Sequence, residues 1–165
     1  AKIKIPFYLL PVPMTMQTFV VLFLGISFGY KIGSATVILY LMEGIIGLPV
    51  FSNSPEKGIG LVYFTGPTMG YLVGFILAVF LIGNLKLHDW TKKGPESVKF
   101  FFINLIKLVI SVSTIYILGL IWLSNLIGFE KALIFGLKPF WAAELFKITL
   151  LAFLIPFILK FRKFI

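Results

Sequence analysis

Five stretches of the chain are apolar almost without interruption, separated by short segments rich in polar residues, glycine and proline. Met14–Phe28 carries no charge, and Ile32–Leu48 carries only Glu43. Leu61–Gly83 is also uncharged, but Gly66-Pro67 interrupts it and predicts a regular helix from near Thr68. Ser97–Leu126 contains Lys99 and Lys107, whereas Trp141–Phe161 carries Glu144 and Lys147 near one end and Lys160 at the other. The runs are continuous rather than alternating, which predicts helices and not the strands of a barrel. Crossing a bilayer core takes about 20 helical residues at about 1.5 Å each. On that scale the first two stretches are short, at roughly 22–26 Å, and the fourth is long, at about 45 Å, so it tilts or projects beyond the core. The opening Ala1–Pro13 holds Pro6, Pro11 and Pro13 and is not a regular helix. It also lacks the basic region and unbroken apolar run of a signal peptide.

Composition agrees with this pattern. Of 165 residues, 59% are hydrophobic and 13% charged, with a mean hydropathy of +1.05. A soluble domain of this size cannot hide so much apolar surface. A soluble enzyme, a disordered tail and a nucleic-acid-binding module are therefore excluded, and one integral membrane domain spanning residues 1–165 is expected. The chain has no cysteine and one histidine, so neither a thiol site nor a multi-histidine metal site is available. No nucleotide-binding or hydrolytic motif occurs, and neither catalysis nor a cofactor is expected.

The net charge of +9 follows membrane orientation rather than nucleic acid. Eight basic residues (Lys31, Lys86, Lys92, Lys93, Lys99, Lys160, Arg162 and Lys163) fall on the side of the Tyr30-Lys31 loop, the Asn84–Glu96 loop and the C-terminal tail. The opposite side has Lys57, Lys131 and Lys138, or five with Lys2 and Lys4. The excess of basic residues puts the first side, with the C-terminus, in the cytoplasm. His88 and Asp89 in that loop read as solvated. Five spans put Met14 outside, and a sixth helix before Ala1 would bring both termini inside.

Polar groups at membrane depth are the candidates for function. They are Glu43, Asn104, Lys107, Glu144 and Lys147. An ionised side chain at a helix centre costs roughly 2.5–3.5 kcal/mol on insertion scales, so such groups face a cavity or a partner. Glu144 and Lys147 are three apart and share a helix face. One accepts and the other donates hydrogen bonds, so they either grip a polar ligand head or form a simple interfacial ion pair. Glu43 faces the same cavity or reaches the outer surface. Asn104 and Lys107 stay unassigned. Trp141, Tyr71, Tyr63 and Phe64 fall near the outer interface, where aromatic belts occur. Gly25-x-x-x-Gly29 and Gly70-x-x-x-Gly74 predict close helix contacts.

The order of motifs points further. Val12-Pro13-Met14-Thr15-Met16-Gln17-Thr18 is followed by Gly25 to Gly29, Leu39-Tyr40-Leu41 and Gly47-Leu48-Pro49-Val50-Phe51. Then come Gly66-Pro67-Thr68-Met69-Gly70-Tyr71-Leu72 and the stretch Glu130–Lys147. In this order they resemble the BioY family, the biotin-specific substrate-binding subunits of energy-coupling-factor transporters, over nearly the whole chain. The resemblance implies an all-α bundle of six transmembrane helices, five of them clear here, in a bacterial inner membrane. It implies capture of biotin outside, and work with a transmembrane coupling protein and a pair of ABC-type ATPases that supply the energy.

The family site uses an Asp and a Lys three apart at the outer start of the last helix. Glu144 and Lys147 hold those positions, with a Glu one methylene longer than the family residue. By the same resemblance Gln17, Tyr71 and the loop around Asn53 line or cover the pocket; Trp141, as an aromatic wall, and Glu43, facing the same cavity or the outer surface, are candidates from the residues themselves. The family's first helix carries an A-x-x-x-A pattern that packs on the coupling protein, and this sequence begins where that helix should end. Biotin, with a ureido head, an apolar body and a carboxylate, suits a paired donor and acceptor with aromatic walls. Without an Arg outside the tail, its carboxylate would meet Lys or backbone N–H groups. Two alternatives are a substrate-binding subunit for another vitamin and a non-transport structural subunit.

Overall fold

The computed structural model describes residues 4–5, 14–52, 58–91 and 96–162. Two short strands, β1 (Lys4–Ile5) and β2 (Met14–Thr15), pair antiparallel with Lys4 opposite Thr15. This pairing is the one departure from an all-α architecture among the described residues. Six helices follow: α1 (Gln17–Ile45), α2 (Leu61–Phe64), α3 (Met69–Asn84), α4 (Ser97–Ile127), α5 (Phe129–Gly136) and α6 (Trp141–Phe161).

α1 is a hairpin, not a rod. Gly29 has φ 76° and ψ 178°, backbone open only to glycine, and the chain reverses there. A straight helix would separate Gln17 from Tyr40 by roughly 35 Å. Instead the Gln17 side chain donates to the Tyr40 hydroxyl at 2.8 Å. A Cβ on Gly33 would lie 3.2 Å from Gly25 Cα, so the limbs 17–28 and 30–45 touch backbone to backbone. The two separate spans expected from the sequence are therefore present, and one residue replaces the Tyr30-Lys31 loop between them. Gly25 makes the expected helix contact, since a Cβ there would lie 2.8 Å from the Val79 carbonyl of α3. Gly29 does so too, since a Cβ on Gly83 of α3 would lie 2.8 Å from the Gly29 carbonyl carbon, and Gly29 also makes the turn.

The third stretch starts its long helix at Met69, with Thr68 just before it, as the Gly66-Pro67 break predicts. Gly70 and Gly74 of α3 both face α4, and a Cβ on Gly74 would lie 2.7 Å from Ile115 Cα. The loop expected between Ile127 and Phe140 instead contains α5, set off from α4 by Gly128 at φ 86°. α3 lies between α1 and α4, while α6 touches both α1 and α4. The core is Leu22, Ile26, Val79, Ile82, Leu108, Ile115, Leu151 and Ile155. On α4 the exposed side chains Ile106, Ile110, Ile117 and Ile121 form a stripe, the arrangement of a helix with one face toward lipid. α4 and α6 are each long and apolar enough to cross a membrane, and α1 reaches that length only when its two limbs are taken together.

The α3–α4 connection is pinned to the bundle. Asn104 is fully buried and exchanges two hydrogen bonds with the His88 backbone, at 3.0 and 2.7 Å. Lys107 Nζ donates to the Lys86 carbonyl at 2.5 Å. Both intramembrane polar residues left unassigned by the sequence thus hold a loop. His88 is not freely solvated: its ring stacks on Phe100, with centroids 4.7 Å apart. Pro156 within α6 has no N–H for the Ala152 carbonyl one turn earlier. The Trp90 indole supplies that missing donor from the loop at 3.0 Å. At the same end of the bundle, Arg162 donates to the Ile26 carbonyl at 3.4 Å, in the last turn before the Gly29 reversal.

Candidate functional site

The first turn of α6 carries Glu144 and the second Lys147. Both are almost wholly buried, at 6% and 5% exposure. Lys147 Nζ lies 2.5 Å from Glu144 Oε1. The pair does not stand alone. The Thr18 hydroxyl, in the first turn of limb 17–28, is 3.0 Å from both Glu144 oxygens and accepts from Lys147 Nζ at 2.7 Å. Lys147 also donates to the Thr15 carbonyl of β2 at 3.0 Å. An ammonium has three protons. Here each has an acceptor: Thr15 O, Thr18 Oγ1 and Glu144 Oε1. The buried charges are thus paired and hydrogen-bonded, the condition under which burial is tolerable.

Glu144 opens on a groove between α4 and α6, with a cavity volume of about 460 Å³. Its polar wall is Glu144, Tyr116 and Ser113, and its apolar wall includes Val112, Leu120, Trp141 and Ile148. Tyr116 faces the Glu144 carboxylate. Such a groove, apolar with a few converging polar groups, suits a small ligand with an apolar body and a head that donates hydrogen bonds.

The other sequence candidates divide. Trp141 lines the groove and is 58% exposed. Tyr71 stands one ring behind it: it meets Tyr116 edge-on, with centroids 5.8 Å apart, and donates to the Gly136 carbonyl at 3.0 Å. Gln17 turns to Tyr40 in the other limb rather than to the charged pair. Glu43 is half-buried, and no described contact joins it to Glu144 or Lys147. Asn53 lies outside the described residues. The loop that carries it is anchored just before that point. Phe51 is buried over Gly44, ringed by Tyr40, Tyr63 and Phe64, and the Tyr63 hydroxyl donates to the Ser52 carbonyl at 2.7 Å.

Sequence reasoning missed Thr15, Thr18 and Tyr116. Thr15 and Thr18 flank Gln17 in the Val12–Thr18 motif, and hydroxyls opening an apolar helix were the available signal. Tyr116 had no local signal beyond one phenol in a long apolar run.

Known proteins resemble this chain in sequence and in fold. The chain matches the model of the BioY family over residues 1–164. It is 38% identical over 92% of its length to the biotin transporter BioY of Thermotoga maritima, and covers 82% of that protein. It is 33% identical over 83% of its length to the probable biotin transporter BioY of Pyrococcus horikoshii, and covers 74% of that one. A crystal structure of the S-component for biotin from an ECF-type ABC transporter superposes with a TM-score of 0.74 at 29% identity, covering 96% of this chain and 82% of that one.

Proposed function

The chain belongs to the BioY family, and from that premise we propose that it is the membrane-embedded biotin-binding subunit of an energy-coupling-factor uptake transporter. The observation that carries this reading is the buried Glu144/Lys147 pair beside an apolar groove at one end of α6. Glu144 accepts from the ureido N–H groups, and Lys147 donates to the ureido carbonyl by exchanging one of its three present acceptors. Trp141 and Tyr116 wall the bicyclic body. Tyr71 backs Tyr116, while Gln17, Glu43 and Asn53 complete the surroundings. The carboxylate meets Lys or backbone N–H groups.

In this reading the chain captures biotin outside and delivers it inward. A transmembrane coupling protein and a pair of ABC-type ATPases supply the energy, and this chain hydrolyses nothing. It belongs to a six-helix bundle in a bacterial inner membrane, with its C-terminus in the cytoplasm. The test is equilibrium binding of radiolabelled biotin to the purified chain in detergent, with thiamine and riboflavin as competitors. Saturable binding that unlabelled biotin alone displaces is expected. Displacement by another vitamin would move the reading to a different substrate, and a folded chain without saturable binding would end it.

A further inference from the structure

Thr18 is set apart by what its single hydroxyl does. It lies 126 residues from Glu144 in sequence, is 8% exposed, and sits at 3.0 Å from both carboxylate oxygens. A carboxylate only accepts and an ammonium only donates. The hydroxyl therefore gives its proton to Glu144, at either oxygen, and receives one from Lys147. Glu144 lines the groove, whereas Thr18 does not. Held by Lys147 from its own helix and by Thr18 from limb 17–28, the carboxylate cannot rotate to follow the ammonium alone. Tyr116 faces one side of the carboxylate, and its other acceptor positions are left for groups that donate from the groove.

We propose that Thr18 is a positioning residue that aims the Glu144 carboxylate into the groove and so sets a preference for ligands whose head donates N–H bonds. The proposal deepens the biotin-binding reading and rests on it for the ligand class. A ligand N–H satisfies an aimed carboxylate, whereas an N-methyl group in that place leaves the carboxylate's acceptor position unfilled. Removing the hydroxyl frees the carboxylate to turn away, which weakens the donor ligand more than its methylated counterpart.

The experiment compares the wild-type chain with Thr18→Val, Thr18→Ala and Thr18→Ser, each checked for a cooperative thermal transition. Affinities are measured for biotin and for biotin methylated on a ureido nitrogen. The Val and Ala variants are expected to bind biotin about tenfold more weakly, the effect of one hydrogen bond to a charged group. Their biotin-over-methylbiotin ratio should fall, while Thr18→Ser restores both values. An unchanged biotin affinity in a folded Val or Ala variant overturns the proposal. So does an equal loss for both ligands, which marks a purely structural role. A second readout needs no ligand: the infrared carboxylate band assigned by Glu144→Gln should shift in Thr18→Ala and return in Thr18→Ser. A band that stays in place refutes the positioning role even where biotin binds. A wild-type chain that binds no biotin while its band shifts refutes the substrate reading alone.

Discussion

Removing the Lys147 ammonium is the sharpest perturbation the site offers. Lys147→Met keeps most of the apolar stem and deletes three hydrogen bonds, to Thr15 O, Thr18 Oγ1 and Glu144 Oε1. The main cost is what remains. Glu144 is 6% exposed, and its nearest cation at 2.5 Å is gone. Breaking a buried pair on one side costs about 3–5 kcal/mol, because the other charge stays buried without compensation. Glu144→Gln strands the ammonium in the same way, although Thr15 O and Thr18 Oγ1 still receive two of its protons. The double variant Glu144→Gln/Lys147→Met strands neither charge. It should therefore be more stable than Lys147→Met alone, with a coupling of roughly 2 kcal/mol in a double-mutant cycle. Thermal denaturation in one detergent gives the order of stabilities, and radiolabelled biotin binding to the folded fraction gives the functional half. Both single variants should bind biotin roughly tenfold to a hundredfold more weakly. Glu144→Asp, which keeps the carboxylate, should keep binding. Additive losses, with the double variant as unstable as the sum of its parts, would refute mutual neutralisation. Unchanged biotin affinity in both folded single variants would refute the site.

Gly29→Ala places a Cβ at φ 76° and ψ 178°, beside the Arg162 guanidinium, and should cost about 1–3 kcal/mol in thermal stability; a neutral change would show that the reversal is not strained. Trp90→Phe keeps a ring against Phe101 and Phe153 but orphans the Ala152 carbonyl, with an expected loss of about 1–3 kcal/mol that Pro156→Ala should largely restore by returning an N–H to that carbonyl. Burial first, and then the Lys107 and Lys86 charges, hold the His88 imidazole below its ordinary range, so the unfolded chain takes up the proton first. Stability is then intact above about pH 6.5 and declines as pH falls from there toward the folded midpoint, and the only histidine resonance in the NMR spectrum should titrate below 6.5; a midpoint at or above that value contradicts the packing. For topology, Lys86→Cys should be shielded and Lys131→Cys labelled by an impermeant thiol reagent in intact cells; the reverse pattern overturns the orientation.

The run of apolar residues was enough to determine the helical class and the existence and approximate limits of five long helical segments. Continuous hydropathy permits no other backbone in a bilayer, and Gly66-Pro67 stops a helix wherever it is placed. The spacing of Glu144 and Lys147 likewise put both on one face before any fold was known, because helical geometry is local. Which face points inward was not legible. α4 carries Asn104, Lys107 and Ser111 along one side, but Leu108 and Ile115 are as apolar as Ile106 and Ile117, so residue hydropathy alone does not tell the buried pair from the exposed one. Only the helices packed against it make that distinction. Gly25 and Gly29 look alike four residues apart and both meet α3, yet only Gly29 turns the chain, and that depends on where limb 30–45 finds its partner. Asn104, Lys107 and Trp90 had no local reading, since their partners are carbonyls of distant backbone, and the one on Ala152 is free to accept because of a proline four residues further on. Thr18 is the same case at the site. A hydroxyl in an apolar helix is unremarkable until tertiary packing brings it against a carboxylate and an ammonium from the other end of the chain, where burial leaves those charges no water to turn to.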